Sequence, residues 1–233
     1  MIITGIDFET TGLDPSKDRV VQMAAAKLHW ESKRIVESFE VHLHSKHYPP
    51  INPEAAAVNG ITEEFLQEFG RNPLIEWNNL HRFMRGSDAL CAQNGHNFDY
   101  IFLDNAVKFF NITPVNIQRI DSSVDVNYPK HMTCRRLQHL ALEHGVVARK
   151  AHTALDDVIV MLEVVAKYDI QEIIKRAKSQ LVTVVGLVSY DDNHLVKARR
   201  FRWNPDLKRW EKQVKEFDLD NFLKECNFET RME

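Results

Sequence analysis

Alternating hydrophobic and polar positions predict three strands at the start of the chain. Residues 2–9 alternate, which places Asp7 and Glu9 together on one face of the first strand. Residues 20–30 and 34–44 are typical of two further strands, and the short polar break between them indicates a hairpin. Three such segments ahead of a helical region favour antiparallel strands within a mixed sheet.

The rest of the body alternates predicted helices with short buried strands. Helical spacing of apolar residues, with Pro or Thr at several starting positions, predicts helices over 53–58, 62–69, 73–85, 98–110, 133–144, 153–168 and 170–178. Short apolar runs predict strands over 88–93 and 116–121. We therefore expect an α/β domain over residues 1–178, with helices on both faces of a mixed sheet.

The segment 181–233 is predicted to form a second, smaller unit. Its stretches LVTVVGLVSY, HLVKARRFRW and KRWEKQVK are strand-like, and an acidic tail follows residue 216. Residues 194–215 carry eight basic side chains against two acidic ones, with aromatic residues interleaved. That composition suits single-stranded nucleic acid, and the candidate contacts are Arg200, Arg202, Trp203, Lys208 and Trp210. The alternative is that the tryptophans form the core of a small β unit, with the basic residues solvated around it.

Composition narrows the class of protein without indicating a partner. Of 233 residues, 44% are hydrophobic and 27% charged, which is ordinary for a soluble globular protein. The three cysteines are an odd number without a CxxC pair, so we expect free thiols in a reducing compartment and a cytoplasmic location. The sequence contains no run of 18 apolar residues, so no membrane span is predicted. A net charge of −3 neither supports nor excludes nucleic-acid binding.

Acidic residues in unusual positions are the candidate chemistry. Two like charges on one strand face, Asp7 and Glu9, repel each other, and a divalent cation is a natural counter-charge. Asp99 is expected in the first turn of an apolar helix, where alone it indicates only a favourable helix-dipole contact. His152 precedes another helix and Asp157 follows it by five residues, whereas the adjacent Asp156 points about 100° away. Taken singly, each is also compatible with a solvated acid or a helix cap.

In order, the motifs IDFETTGL, NGHNFD and HTALDD resemble the DEDDh (DnaQ-like) exonucleases. The segments 51–62 and 120–126 also resemble the family, so the likeness covers roughly residues 2–168. It implies a ribonuclease H-like fold for the main domain, alongside the small C-terminal β unit. The second motif, Gln93 to Asp99, is one residue longer than in many members and is similar to the TREX type.

The resemblance also implies the chemistry. Asp7, Glu9, Asp99 and Asp157 would hold two Mg²⁺ or Mn²⁺ ions, with Asp7 bridging them, and His152 would be the general base for release of 5′-mononucleotides. Substrate binding is expected at Thr11, Gly12, Leu13, Asn94 and Phe98, and His96 is interpreted as structural or solvent-facing.

The implied partner is a nucleic acid with a free 3′ end. Single-stranded DNA is favoured, while the residues leave DNA or RNA, and the oligomeric state, open. One alternative is a proofreading or nucleic-acid-binding subunit of a polymerase or repair complex. Another is an endonuclease of the ribonuclease H type, which shares the fold and the metal chemistry.

Overall fold

The chain folds as two units, Met1–Ile173 and Ile174–Glu233. The structure is a computed structural model that describes residues 1–147 and 153–233. The division falls inside a helix, Ile170–Lys178. Sequence analysis places the domain boundary just after that helix.

A five-stranded mixed sheet is the centre of the first unit. Its strands are β1 (Ile2–Thr10), β2 (Val20–His29), β3 (Arg34–His42), β4 (Ala89–Ala92) and β5 (Gln118–Asp121). The spatial order is β3-β2-β1-β4-β5; β1, β2 and β3 pair antiparallel, and β4 and β5 run parallel to β1. The tight link between β2 and β3 forces a hairpin, whereas helical crossovers produce the parallel pairs. The predicted mixed sheet is confirmed.

Helices follow or separate these strands. They are α1 (Pro53–Asn59), α2 (Glu63–Phe69), α3 (Pro73–Met84), α4 (Asp99–Phe109), α5 (Leu137–Glu143), α6 (Ala154–Val165) and α7 (Ile170–Lys178). The side chains of Asn52, Thr62 and Asn72 each accept a backbone N–H of the helix that follows, which explains where α1, α2 and α3 begin. The helix expected over 133–144 begins only at Leu137.

The two faces of β1 pack against different elements. Ile6 and Phe8 are buried with Trp77 of α3 and Tyr100 of α4 in the main apolar core. On the opposite face α6 packs across the sheet at Gly5. A Cβ atom built on Gly5 would lie 2.9 Å from Val158 Cγ1 and 3.0 Å from Leu162 Cδ1. The absence of a side chain therefore allows α6 to approach the strand that carries Asp7 and Glu9.

The second unit contains a four-stranded sheet with two helices. Its strands, β6 (Leu181–Leu187), β7 (Arg202–Asn204), β8 (Arg209–Lys215) and β9 (Glu229–Met232), lie in the order β7-β8-β6-β9. Its helices are α8 (Asn193–Ala198) and α9 (Glu216–Glu225). A small core of Val184, Val196, Phe201 and Val214 holds them together. Within the described residues, no helix is both long and apolar enough to cross a membrane.

The prediction for this unit was wrong in two places. The sequence predicts a strand over residues 194–203, but residues 194–198 lie in α8, where Val196 packs into the core against Gly186, and only Arg202 and Trp203 lie in a strand, β7. The expected acidic tail forms α9 and β9 instead. Leu219, Phe222 and Leu223 recur at helical spacing and pack on the core, which orders this segment.

Substitution of Gly5 tests the close packing of α6. Gly5→Val would force Val158 and Leu162 away from β1, so we expect a loss of about 1–3 kcal/mol in the free energy of unfolding, as for other overpacked cores. Urea unfolding measures this. Ser38→Val on exposed β3 is the control and should change stability by less than about 0.5 kcal/mol. Equal effects of the two substitutions would contradict the packing argument.

Candidate active site

Four carboxylates from three separate segments gather near the end of β1. Asp7 and Glu9 lie in the second half of β1, Asp99 is the first residue of α4, and Asp157 lies in the first turn of α6. Burial raises the pKa of Asp7 well above its ordinary value, and the charges of Asp99, Glu9 and Asp157 raise it further. Asp157 therefore acts on the same carboxyl group as the other acids.

Asp99 is held where the sheet becomes incomplete. The ladder between β1 and β4 ends at the pair Gly5 and Cys91, so the N–H of Phe8 lacks a strand partner on that side. The Phe8 N–H donates instead to Asp99 Oδ1 at 3.0 Å. This contact fixes a carboxylate that is only 1% exposed.

The electrostatic cost of that position is visible in its pKa. Burial raises the pKa of Asp99 to about 8, and the charges of Asp121 and Glu9 add to the effect. Backbone N–H groups, including that of Phe8, partly oppose the rise because they favour the ionised form. The site therefore concentrates more negative charge than its surroundings stabilise.

Asp121 organises the loop that leads to Asp99. It is fully buried at the end of β5, and its carboxylate accepts the N–H groups of Asn94 and His96, both at 3.0 Å. This role of Asp121 is not among those predicted from the sequence. The available signal was an aspartate ending a buried strand, where aspartate is disfavoured unless its side chain is engaged.

A cleft of about 340 Å³ opens beside Glu9. Its walls come from β1, the following turn, α1 and the residue before α4, and include Gly12, Leu13, Val58 and Phe98. Leu13 is 81% exposed at the rim of this cleft. Three of the residues predicted to bind substrate, Gly12, Leu13 and Phe98, therefore lie along one cleft.

The other two predicted binding residues do not line that cleft. The hydroxyl of Thr11 donates to Asp18 Oδ1 at 2.9 Å, and the Asn94 side chain accepts from Asn97 Nδ2 at 2.8 Å. Asp18 shapes the turn itself: a Cβ atom on Gly12 would lie 2.5 Å from Asp18 Oδ2. Only glycine leaves room for this carboxylate, so Thr11 and Gly12 set the path on which Leu13 projects.

Of the two histidines in the motifs, only His96 lies within the described residues. His152 lies outside the described residues, so its predicted role as general base stays a prediction. His96 is partly exposed; its Nε2 lies 3.9 Å from Asp125 Oδ2 and its ring packs against Tyr100 at 5.5 Å between centroids.

The donor set fits a hard divalent cation, although no cage is preassembled. Carboxylate oxygens are the ligands that Mg²⁺ and Mn²⁺ prefer. The raised pKa values of Asp7 and Asp99 indicate an unfavourable concentration of negative charge, which a nearby cation would relieve. Within residues 1–147 and 153–233, no three His, Cys, Asp or Glu side chains are already arranged to hold an ion.

A family model for exonucleases, RNase_T, matches residues 4–165. The chain belongs to this exonuclease family. The DNA polymerase III subunit epsilon of Treponema pallidum is 30% identical over 165 residues, covering 69% of this chain and 73% of the relative. The PolC-type DNA polymerase III of Thermotoga maritima is 28% identical over 166 residues, but this exonuclease spans only 11% of that polymerase.

Solved structures of Escherichia coli exonuclease I share the fold. A complex with a dA16 oligonucleotide has a TM-score of 0.64 and 19% identity, covering 79% of this chain and 48% of that chain. A zinc-bound complex with single-stranded DNA has a TM-score of 0.68 and 16% identity, covering 92% and 63%. This exonuclease thus spans about half to two thirds of those chains. The predictions of a ribonuclease H-like fold and of a 3′→5′ exonuclease are confirmed, and the TREX-type assignment of the second motif stays a prediction.

The crowded carboxylates predict a pH-dependent stability of the metal-free protein. Folding raises the pKa of Asp99 from 3.8 to about 8, so the folded state holds that proton more tightly than the unfolded state does. The stabilisation is complete below the unfolded pKa and is lost as the pH rises toward 8. In EDTA, Asp7→Asn should reduce this loss and raise Tm at pH 8 by roughly 2–4 °C for each kcal/mol of repulsion removed.

Thermal melts at pH 5 and pH 8, with and without Mg²⁺, measure this effect. Asp156→Asn, one residue from Asp157 in α6, is the matched control and should follow the wild type. If Asp7→Asn loses as much stability as the wild type between the two pH values, the carboxylates are not under mutual repulsion.

Proposed function

We propose that the protein hydrolyses the terminal phosphodiester at the 3′ end of a single strand of nucleic acid, releasing 5′-mononucleotides. Asp7, Glu9, Asp99 and Asp157 would hold two Mg²⁺ or Mn²⁺ ions, and His152 would remove the proton from the attacking water. The observation that carries the proposal is the convergence on Asp7 of Glu9 from the same strand and of Asp99 and Asp157 from distant segments, where burial and these three charges raise the pKa of Asp7.

Charge explains why this cluster suits phosphate only with cations. Four carboxylates alone would repel a phosphodiester, and buried acids with raised pKa values are poor surroundings for an anion. Paired divalent ions supply charge neutralisation for the attacking and the leaving oxygen. Asp7 is the acid on which the charges of the other three act, which supports it as the residue shared by both ions.

The cleft beside Glu9 supports binding of the terminal nucleotide. Leu13 offers an exposed apolar surface to a base, and Gly12 lines the same cleft in the turn that Asp18 shapes. Phe98 adds an aromatic wall immediately before Asp99. The exonuclease I structures that share this fold hold single-stranded oligonucleotides, which favours the same class of substrate. The rate of mononucleotide release, measured at equal concentrations of single- and double-stranded DNA and RNA oligonucleotides, identifies the preferred substrate.

Adjacent acids on α6 give a matched test of the metal site. Asp157→Asn removes a proposed ligand, so we expect release of mononucleotides from a 3′-labelled strand to fall by more than ~100-fold. Asp156→Asn removes the same charge one residue away and should retain near wild-type kcat. Activity that survives both Asp157→Asn and EDTA would rule out the proposed chemistry.

His152 is tested separately from metal binding. His152→Ala should lower kcat by about 10²–10⁴, the usual contribution of a general base, while the increase in Tm on adding Mn²⁺ persists. The remaining activity should lose the dependence on a group with a pKa near 6.5. An unchanged kcat and pH profile would assign the base to another residue.

Association with a polymerase is a second candidate function. The epsilon subunit of Treponema pallidum, 30% identical to this chain, is part of DNA polymerase III by name. If this chain proofreads, adding the purified replicative polymerase of its own source should increase excision at a mismatched 3′ end but not at a matched one. An endonuclease of the ribonuclease H type would instead cleave a circular strand, which has no end.

A further inference from the structure

The unit Ile174–Glu233 contains an open groove that shares no residue with the carboxylate site. Its volume is about 640 Å³, and we call it the aromatic groove because its lining includes Tyr190, Trp203, Leu207, Lys208 and Trp210. Pockets of this size commonly hold small ligands or a single residue of a polymer. Nothing in the proposed hydrolysis requires it.

Two aromatic residues of the groove lie outside the core of the unit. That core consists of Val184, Val196, Phe201 and Val214, with support from α9. Tyr190 is 88% exposed and Trp203 is 50% exposed, so neither is buried in it. The alternative that both tryptophans form the core of this unit is therefore wrong for Trp203. Large aromatic rings exposed together mark a surface that binds something.

The tryptophan rings are held in place before any ligand arrives. Trp203 and Trp210 face each other across β7 and β8, with ring centroids 5.6 Å apart in an edge-to-face arrangement. Trp210 Nε1 donates to Asn193 Oδ1 at 2.9 Å, and Lys197 Nζ lies 5.6 Å from the centre of the same ring. A platform that is already ordered loses little conformational entropy when a flat ligand stacks on it.

Charge at the rim of the groove favours an anionic ligand. Lys208 is exposed at the end of the turn between β7 and β8, with a backbone φ of 48° that glycine would adopt more easily. Asn204 Oδ1 fixes this turn by accepting the N–H groups of Asp206 and Leu207. The neighbouring acids Glu211 and Glu233 are paired with two arginines, because Arg209 donates to both acids and Arg231 also donates to Glu233.

We infer that the aromatic groove binds unpaired bases of a single-stranded nucleic acid, by stacking on both Trp203 and Tyr190, with Lys208 on an adjacent phosphate. A duplex keeps its bases stacked inside, so it would leave these rings unused. The identity of the strand as the substrate rests on the proposed function, but binding itself does not require metal ions or hydrolysis.

Fluorescence anisotropy of a 5′-labelled poly(dT) oligonucleotide with the full chain in EDTA tests the groove, since EDTA stops the proposed hydrolysis. Tyr190→Ala and Trp203→Ala should each weaken binding on the order of 5- to 150-fold, the loss expected for one stacked base. Tyr190 is so exposed that its removal leaves folding intact. Phe217→Leu, at a partly exposed ring outside the groove, should bind like the wild type.

The lysine is tested through salt. Lys208→Gln should make the dependence of log affinity on log salt less steep by about 0.7, the value for one phosphate contact on a single strand. Lys224→Gln, on the exposed surface of α9, should leave the slope unchanged. Affinities of Tyr190→Ala and Trp203→Ala equal to the wild type, or equal binding of a blunt duplex, would overturn the inference and leave the groove to a protein partner.

Hydrolysis of a small nucleotide ester separates this inference from the proposed function. The p-nitrophenyl ester of thymidine 5′-phosphate tests the carboxylate site alone, and Trp203→Ala should hydrolyse it like the wild type. Strand binding in EDTA, without Mg²⁺-dependent hydrolysis of any substrate, would contradict the proposed function and support the inferred role of the aromatic groove. Hydrolysis without a contribution from Tyr190 and Trp203 to binding would do the reverse.

Discussion

Repulsion between carboxylates at the end of β1 is the constraint on which the first unit depends. Asp7, Glu9, Asp99 and Asp157 come from three segments that are far apart in sequence, and burial together with the charges of the other three acids raises the pKa of Asp7. Such a cluster persists only if other contacts outweigh the repulsion. The apolar core on the opposite face of the sheet and the close packing of α6 at Gly5 supply them. A cation-binding site is the natural use of a cluster kept at that cost.

The place of the cluster follows from how the sheet ends. Strand β1 continues to Thr10, but its parallel neighbour β4 stops at Ala92. The open side of β1 would expose a buried N–H, and Asp99 accepts that of Phe8. In sheets of this kind, ligands bind where parallel strands end and the chain order switches direction. Incomplete pairing thus creates both a polar pocket and a hydrogen bond that fixes one of its acids.

Much of this arrangement was predictable, because short-range patterns determine it. Alternation predicts that Asp7 and Glu9 share one face of β1, and the resemblance of HTALDD to the family favours Asp157 over Asp156. The role of Asp121 was not predictable in the same way, because its partners, Asn94 and His96, lie more than twenty residues away. Thr11 was expected to contact substrate, yet its hydroxyl donates to Asp18, a contact that depends on how the turn folds back.

In the second unit, periodicity failed where elements are short. Helix α8 has only six residues, too few for a clear repeat, and basic side chains obscured its apolar positions. The acidic character of α9 suggested a solvated tail, although Leu219, Phe222 and Leu223 form an apolar stripe. Charge composition describes the exposed face of such a helix and says little about the buried one.

Under the proposed function, the first unit would hydrolyse the phosphodiester at an acidic site, and the second unit would bind the strand at a basic and aromatic surface. An acidic site must avoid holding its anionic product, so it is a poor place to gain affinity for a long strand. Affinity from a separate, aromatic and basic surface on the same chain raises the effective concentration of the strand end without adding cations near the carboxylates. Stacking is also tolerant of sequence, because every base has a flat face.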